Sequence, residues 1–339
     1  MKKINLITTK GSEFTGIKFY AKNLDSDLKL NYINSELKEI PKYEITILGK
    51  KIGGWKSQDF LLRYYHSSGI NHSTFHWVVT DQTDITTIHD LFPLTMEELK
   101  VPESIRNIHI KRLKKSNKNG IIIVMANEIK NQVLHFIPDA DIRVITSKVF
   151  TPIQYYDIKS KTNIINWINN PYPNDHKLHL LTMGEILGNQ GNRKQITHIY
   201  DYVKDNKNIE LYHIGKITDN KYLNYSPNIH HLTNLPENLK LSYLKFADKF
   251  VYKTLGEGQG LPTMEAMKLN IQPIINDIPI HRELLGDKPY YFHNKDEFLE
   301  MIYKPKKDGL VEQITQYDNW ISKYKKVYEE VSDKISSNR

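Results

Sequence analysis

The sequence contains no cysteine, which excludes disulfides, thiolate zinc sites and cysteine nucleophiles. Any chemistry must come from other groups. Long apolar runs are also missing: the longest, such as IIIVMA at 121–126, are strand-sized, far short of the roughly 20 residues a spanning helix needs. The amino-terminal MKKINLITTKG has only a brief apolar run and no small-residue cleavage site, so it reads as a first strand and not as a secretory signal. These features lead to an expectation of a soluble, cytoplasmic protein. No glycine fingerprint of dinucleotide-oxidoreductase spacing follows that strand. No repeat of fixed short period suggests a solenoid or propeller. No compact Asp/His cluster suggests a metal site, and DQTD at 81–84 reads as a loop between strands. The net charge of +8 fits an anionic partner, but it comes without an arginine-rich tract or an aromatic-rich recognition motif, so nucleic acid is not expected.

What is present is a chain of 339 residues, 39% apolar and 25% charged, long enough for two domains and apolar enough to build their cores. Short β-branched runs alternate with amphipathic stretches, which argues for parallel sheets with crossover helices and an α/β class. Strands are expected at 4–8, 43–48, 75–80, 85–89, 120–126 and 142–146, with helical patterns at 17–25, 57–67 and 127–135. A proline- and asparagine-rich stretch over 148–176 reads as a hinge. Strands are expected again at 177–184, 209–215, 228–233, 248–254, 272–277 and 289–293. The division is therefore 1–150, 151–315, and a helical segment 316–339 that returns to the first domain.

The most informative stretch is DKFVYKTLGEGQGLPTMEAMKLNIQPIINDIPIHREL, residues 248–284. It reads as strand, glycine loop, helix, strand. Gly256, Gly258 and Gly260 let the backbone turn sharply and approach a ligand, and Pro262 suits a first helical turn. The free N–H groups and positive dipole end of that helix stand at the carboxyl edge of a parallel strand, where a diphosphate fits. Glu257 and Glu265, with seven residues between them, can bracket one ligand and accept hydrogen bonds from vicinal hydroxyls. Taken singly, Glu265 equally suits compensation of the helix dipole, and Glu257 a solvated loop.

EGQGLPTMEAM followed by NDIPIHRELLGD resembles the donor-site signature of the retaining glycosyltransferases of family 4, which have the GT-B fold of two facing Rossmann-like domains. PNIHHLTNLPENLKLSYLKFADKFVY and NWISKYKKVYEEV are similar to the flanking segments of that family, so the resemblance covers about 177–331. It implies Glu257 as the contact to the donor sugar and Glu265 as the contact to ribose, with backbone around Gly258, Gly260, Leu261 and Thr263 holding the diphosphate. LLTMGEILGNQGNRKQI at 180–196 resembles the family's loop and basic pair, which implies Gly184, Arg193 and Lys194 at the phosphates. Some members carry an arginine directly after that glycine, where this chain has Glu185. In the first half, TTIHDLFPL at 86–94 implies that His89 faces the donor sugar and that Asp90 orders the turn. KGSEFTGIKFYAKNL at 10–24 implies a close approach at Gly16, although Gly11 stands farther from it than in the family's glycine pair.

The implied reaction moves a sugar from a UDP- or GDP-linked donor to a hydroxyl of a glycan, lipid-linked or protein-linked acceptor with retention of configuration. It uses no cofactor and no metal, since Arg193, Lys194 and the helix terminus supply positive charge where the leaving diphosphate gains negative charge. The alternative is a catalytically inactive nucleotide-sugar-binding partner of another transferase. One further feature is the basic stretch SIRNIHIKRLKKSNKNG at 104–120, which suits either a solvated helix or a peripheral contact with anionic lipid at the inner face of a membrane.

Overall fold

A computed structural model describes residues 1–339 except 11–14, 42–43, 48–49, 54–67, 119, 150–168, 187–192, 224 and 338–339. The helical pattern at 57–67, most of the expected hinge and the centre of the loop after Gly184 lie outside the described residues. The chain divides into two compact units. One comprises Met1–Glu97, Val101–Ser147 and Asn319–Arg339, the other Glu98–Lys100 and Lys148–Asp318.

The first unit runs β1 (Ile4–Lys10), α1 (Thr15–Leu30), β2 (Ser35–Pro41), the hairpin β3 (Glu44–Ile47) and β4 (Lys50–Gly53), β5 (Ile70–Ser73), β6 (Ile85–Ile88), α2 (Phe92–Thr95), α3 (Glu103–Lys118), β7 (Ile121–Val124), α4 (Asn127–Phe136) and β8 (Ile142–Val144). Its sheet has the order β2-β1-β5-β6-β7-β8, every pair parallel. Ile4, Leu6, Ile7, Ile85, Ile88, Ile122, Ile123 and Val124 are wholly buried, as continuous apolar strands covered on both faces should be.

Two expected strands are corrected here. The run at 75–80 is buried but follows the strand, which is INHS at 70–73. Phe75, Trp77 and Val78 pack with Ile7 and Ile40 as a core cluster, so their apolar character records burial and not pairing. INHS was hidden because it is polar, and it is tolerated in the core because its side chains are bonded. Asn71 Nδ2 donates to the Gln82 carbonyl at 3.1 Å, Ser73 Oγ to the Phe75 carbonyl at 2.8 Å, and the His72 ring lies 2.7 Å from the Tyr328 hydroxyl and 2.8 Å from Thr87 Oγ1. The run at 43–48 is the second correction: 44–47 pairs antiparallel with 50–53, and Ser35–Pro41 takes the place beside β1. β2 is an edge strand and carries Glu36, Lys38 and Glu39, charges that suit an edge and erase the hydrophobic alternation.

The second unit runs β9 (Leu178–Met183), α5 (Ile196–Val203), β10 (Ile209–Ile214), β11 (Ile229–Leu232), α6 (Glu237–Phe246), β12 (Lys249–Tyr252), α7 (Leu261–Lys268), β13 (Gln272–Asn276), α8 (Pro279–Leu285), β14 (Tyr290–Phe292), α9 (Lys295–Met301) and α10 (Leu310–Thr315). Its sheet order is β11-β10-β9-β12-β13-β14, again wholly parallel. In order of appearance this is the doubly wound 3-2-1-4-5-6 arrangement, whose direction reverses between the first and fourth strands. That switch point falls between β9 and β12, and ligands of such sheets bind at the carboxyl ends of the strands there.

A last helix, α11 (Trp320–Ser337), belongs to the first unit. Its buried residues Trp320, Ile321, Tyr324, Val327, Tyr328 and Val331 recur at helical spacing. Polar bonds fix it as well: Trp320 Nε1 donates to Asp27 Oδ2 at 2.9 Å, Tyr324 bonds the Tyr20 hydroxyl, and Tyr328 meets His72.

Candidate active site

The site is assembled at the switch point of the second sheet. β12 runs into Thr254–Gly260, and the segment 193–195 is stitched to its end by backbone bonds: Gln195 N to Lys253 O and Leu255 N to Arg193 O, both 2.9 Å. Asn276, at the end of β13, clamps the same turn from the other side. Its Nδ2 donates to Thr254 O at 2.8 Å, and its Oδ1 accepts from Thr254 N at 3.0 Å. Thr254 Oγ1 then donates to Gly256 O at 2.9 Å. The loop is therefore held by the ends of two adjacent strands.

On this frame Arg193 Nη1 donates to Glu257 Oε1 at 2.8 Å and to the Gly256 carbonyl. The Tyr252 hydroxyl donates to the same Glu257 oxygen at 2.8 Å. Burial acts to raise the Glu257 carboxyl, but the Arg193 and Lys194 charges and the Tyr252 bond outweigh it and hold the group below its ordinary range. Glu257 is thus an ionised acid. The same Tyr252 hydroxyl is pushed well up, chiefly by burial, so it remains a donor.

Lys194 reaches its position through space that Gly184 leaves open. A Cβ on Gly184 would lie 2.7 Å from Lys194 Cδ and 3.2 Å from its Nζ, and Gly184 itself has φ +149°. Burial lowers the Lys194 ammonium, while the charges of Glu257, Glu185 and Glu265 act to raise it. The Gly184 carbonyl is fixed from beneath: His213 Nε2 lies 2.6 Å from it, and His213 Nδ1 lies 2.6 Å from the Tyr200 hydroxyl.

α7 begins at Gly260, whose φ of +74° places it in the left-handed region that glycine adopts at little cost. Its N-cap is a glycine, which has no side chain to cap the helix, and Pro262 stands in its first turn, an arrangement that leaves the positive end suited to a ligand. Thr263 is in the first turn of α7. Its N–H turns back to the Gly260 carbonyl at 3.1 Å, while its hydroxyl is buried with no partner among the described residues. Glu265 lies one turn along α7, with Lys240 Nζ at 3.9 Å.

Gly184, Arg193, Lys194, Glu257, Gly258, Gly260, Leu261 and Glu265 all belong to this one region of the second unit. His89 and Gly16 belong to the first unit. His89 follows β6 and donates from Nε2 to the Thr74 carbonyl at 2.9 Å, with Tyr20 edge-on at 4.7 Å. Burial pushes it down to about 4, so the ring is neutral. Gly16 is in the first turn of α1, and no described atom lies within 4 Å of where a Cβ would stand. Sequence reasoning assigned no role to Tyr252, Thr254, Asn276 or His281. The signal for the last two was available, since both lie in NDIPIHREL, where a buried strand ends in polar residues.

No family model matches the chain. Over 86 residues it is 33% identical to the O-antigen chain mannosyltransferase RfbU of Salmonella typhimurium, a stretch covering 25% of this chain and 24% of that protein. Solved structures align along nearly the whole chain, two of them as follows. Sucrose-phosphate synthase from Thermosynechococcus elongatus has a TM-score of 0.64 at 13% identity, covering 99% of this chain and 98% of that one. The catalytic domain of starch synthase IV from Arabidopsis thaliana, bound to ADP and acarbose, has a TM-score of 0.61 at 10% identity, covering 97% and 99%. The chain thus has the GT-B fold, two parallel-sheet, Rossmann-like α/β units of the kind found in glycosyltransferases of known structure.

Proposed function

We propose that this chain is a glycosyltransferase of the family 4 type, transferring a sugar from a nucleotide-diphosphate donor to an acceptor hydroxyl with retention of configuration. The observation that carries this is the meeting of Arg193, Lys194, Glu257 and the uncapped start of α7 at the switch point of the second sheet. The ADP-bound starch synthase domain of the same fold supports it.

In this reading the diphosphate lies against the α7 terminus, Arg193 and Lys194, while Glu257 grips the sugar and Glu265 the ribose. The bond between the anomeric carbon and the phosphate oxygen breaks. The acceptor oxygen forms its bond on the same face, and its proton passes to the departing diphosphate. Fixed cations favour the charge that grows on the leaving group, so they lower the barrier to bond cleavage. No metal is required in this scheme, and turnover should persist in EDTA.

Glycan and lipid-linked acceptors both suit the reaction, and α3 bears on the choice. Arg106 and Arg112 donate to backbone carbonyls, and Lys115 pairs with Asp81 at 3.1 Å. Lys111, Lys114 and Lys118 are exposed, with Ile108 38% exposed beside them. A peripheral contact with anionic lipid would therefore rest on these three lysines at about 1 kcal/mol each. Flotation with anionic liposomes, wild type against a Lys111, Lys114 and Lys118 charge-neutral variant, tests it.

The central test is a thermal-shift panel of UDP-, GDP-, ADP- and dTDP-sugars on wild type and Glu265→Ala. One nucleotide class should stabilise the wild type, and the shift should fall sharply in the variant. Stabilisation by none of them would count against a donor site. Binding without transfer or slow donor hydrolysis would favour an inactive partner.

A further inference from the structure

His281, on α8, is 1% exposed, and its two ring nitrogens have different surroundings. Nδ1 lies 3.1 Å from the Asn276 carbonyl. A carbonyl only accepts, so Nδ1 carries the hydrogen and Nε2 presents a lone pair. Nε2 is buried and has no partner among the described residues. An acceptor taken out of water and left unmade is unfavourable, and a bound ligand would supply the missing donor.

Gly260 lies beside that edge of the ring. A Cβ on Gly260 would lie 3.6 Å from His281 Nε2 and 4.0 Å from Glu257 Cβ. These are ordinary van der Waals separations, so there is room for one heavy atom beside the α7 N-cap, between the imidazole and the acid. The polar atom on this border, His281 Nε2, is an acceptor, and the Glu257 atom on it is the Cβ that leads to the carboxylate. Glu257 is an ionised carboxylate whose Oε1 is already taken by Arg193 and Tyr252. A phosphate oxygen is itself an acceptor and carries negative charge, so it does not match this border. A hydroxyl, which donates, does.

We propose that His281 Nε2 accepts a hydrogen bond from a hydroxyl of the donor's glycosyl group, beside Glu257, and so helps to determine which sugar is transferred. The assignment rests on the nucleotide-sugar reading of the same site. It divides the site by chemistry: Arg193, Lys194 and the α7 terminus meet the diphosphate, and Glu257 and His281 meet the sugar.

Calorimetric titrations of UDP, GDP and ADP, and of their glucose, N-acetylglucosamine and mannose conjugates, into wild type, His281→Phe and His281→Gln test it. Phenylalanine fills the buried slot without an acceptor, and glutamine returns an amide oxygen. The expected result is that the phenylalanine variant loses about tenfold in affinity for the sugar conjugate and less than about twofold for the free diphosphate. Glutamine should recover part of the loss. An unchanged ratio of the two affinities in the phenylalanine variant overturns the assignment, whether both affinities fall together or neither moves. Binding of no nucleotide by the wild type overturns the donor-site reading along with it, which separates the two failures. The ratio is taken within one sample, so a reduced folded fraction alters stoichiometry and leaves it intact. Should His281→Phe not fold, His281→Leu serves in its place.

Discussion

Arg193 Nη1 stands 2.8 Å from Glu257 Oε1, and that oxygen also takes the Tyr252 hydroxyl at 2.8 Å. The cation assigned to a phosphate and the acid assigned to a sugar are therefore already partners within the chain. Side-chain exposures of 24% and 10% put the pair between a solvated surface bridge and a fully buried one. Arg193→Ala should lower the stability of the second unit by about 1–3 kcal/mol in urea unfolding, because Glu257 is left with less compensation. It should also weaken nucleotide diphosphate binding at least tenfold by calorimetry. Full stability together with full affinity in this variant would contradict both roles.

Gly184→Ala tests the space that Lys194 occupies. The added methyl would lie 2.7 Å from Lys194 Cδ and 2.9 Å from Ile196 Cδ1, on a backbone with φ +149°. The variant should lose about 1–3 kcal/mol of stability and most of its donor affinity, since Lys194 must move. A thermal melt and a donor titration on one preparation would read both.

Tyr328→Phe removes the hydroxyl 2.7 Å from His72 Nδ1 and leaves a wholly buried ring nitrogen unpaired. The expected loss is about 1–3 kcal/mol, confined to unfolding of the first unit. Donor binding to the second unit should be nearly unchanged, which distinguishes this variant from Arg193→Ala.

Several buried histidines make stability depend on acidity. Burial pushes His72 down to about 3 and His109 and His213 to about 4, and His76, 3.2 Å from His109, falls well below its ordinary value. The unfolded chain protonates these rings near 6.5, whereas the folded chain resists until a lower pH. Unfolding therefore takes up protons between those values, and stability present in full above pH 6.5 declines as pH falls towards 4. Each ring adds up to about 1.4 kcal/mol per pH unit to the slope. Urea midpoints measured from pH 7.5 to 4.5 should fall steadily. A flat profile would mean that the rings are not buried in neutral form.

The second sheet was legible in the sequence because most of its strands are rich in apolar or aromatic residues and bounded by turn residues, and the loop after β12 announced itself through Gly256, Gly258 and Gly260. The first sheet was less legible. INHS and SELKEIP carry polar and charged residues whose tolerance depends on partners far along the chain: Tyr328 for His72, and an edge position for Glu36 and Lys38. Pattern reasoning sees neighbours, not distant partners. At the site the same limit applied. Glu257 and Arg193 were visible as residue types in a motif, but their bond to one another, the Asn276 clamp and the free nitrogen of His281 exist only once β12, β13 and α8 are side by side.

The helix that completes the first unit is made after the whole of the second. Trp320, Tyr324 and Tyr328 supply bonds that Asp27, Tyr20 and His72 need, yet on a ribosome they emerge only after all of β9 through α10 has been translated. The second unit can close its sheet while synthesis continues, whereas the first must wait with a greasy groove uncovered. Nascent chains stalled before residue 320 should accordingly protect the later-made sheet from protease while leaving the earlier-made one open to cleavage.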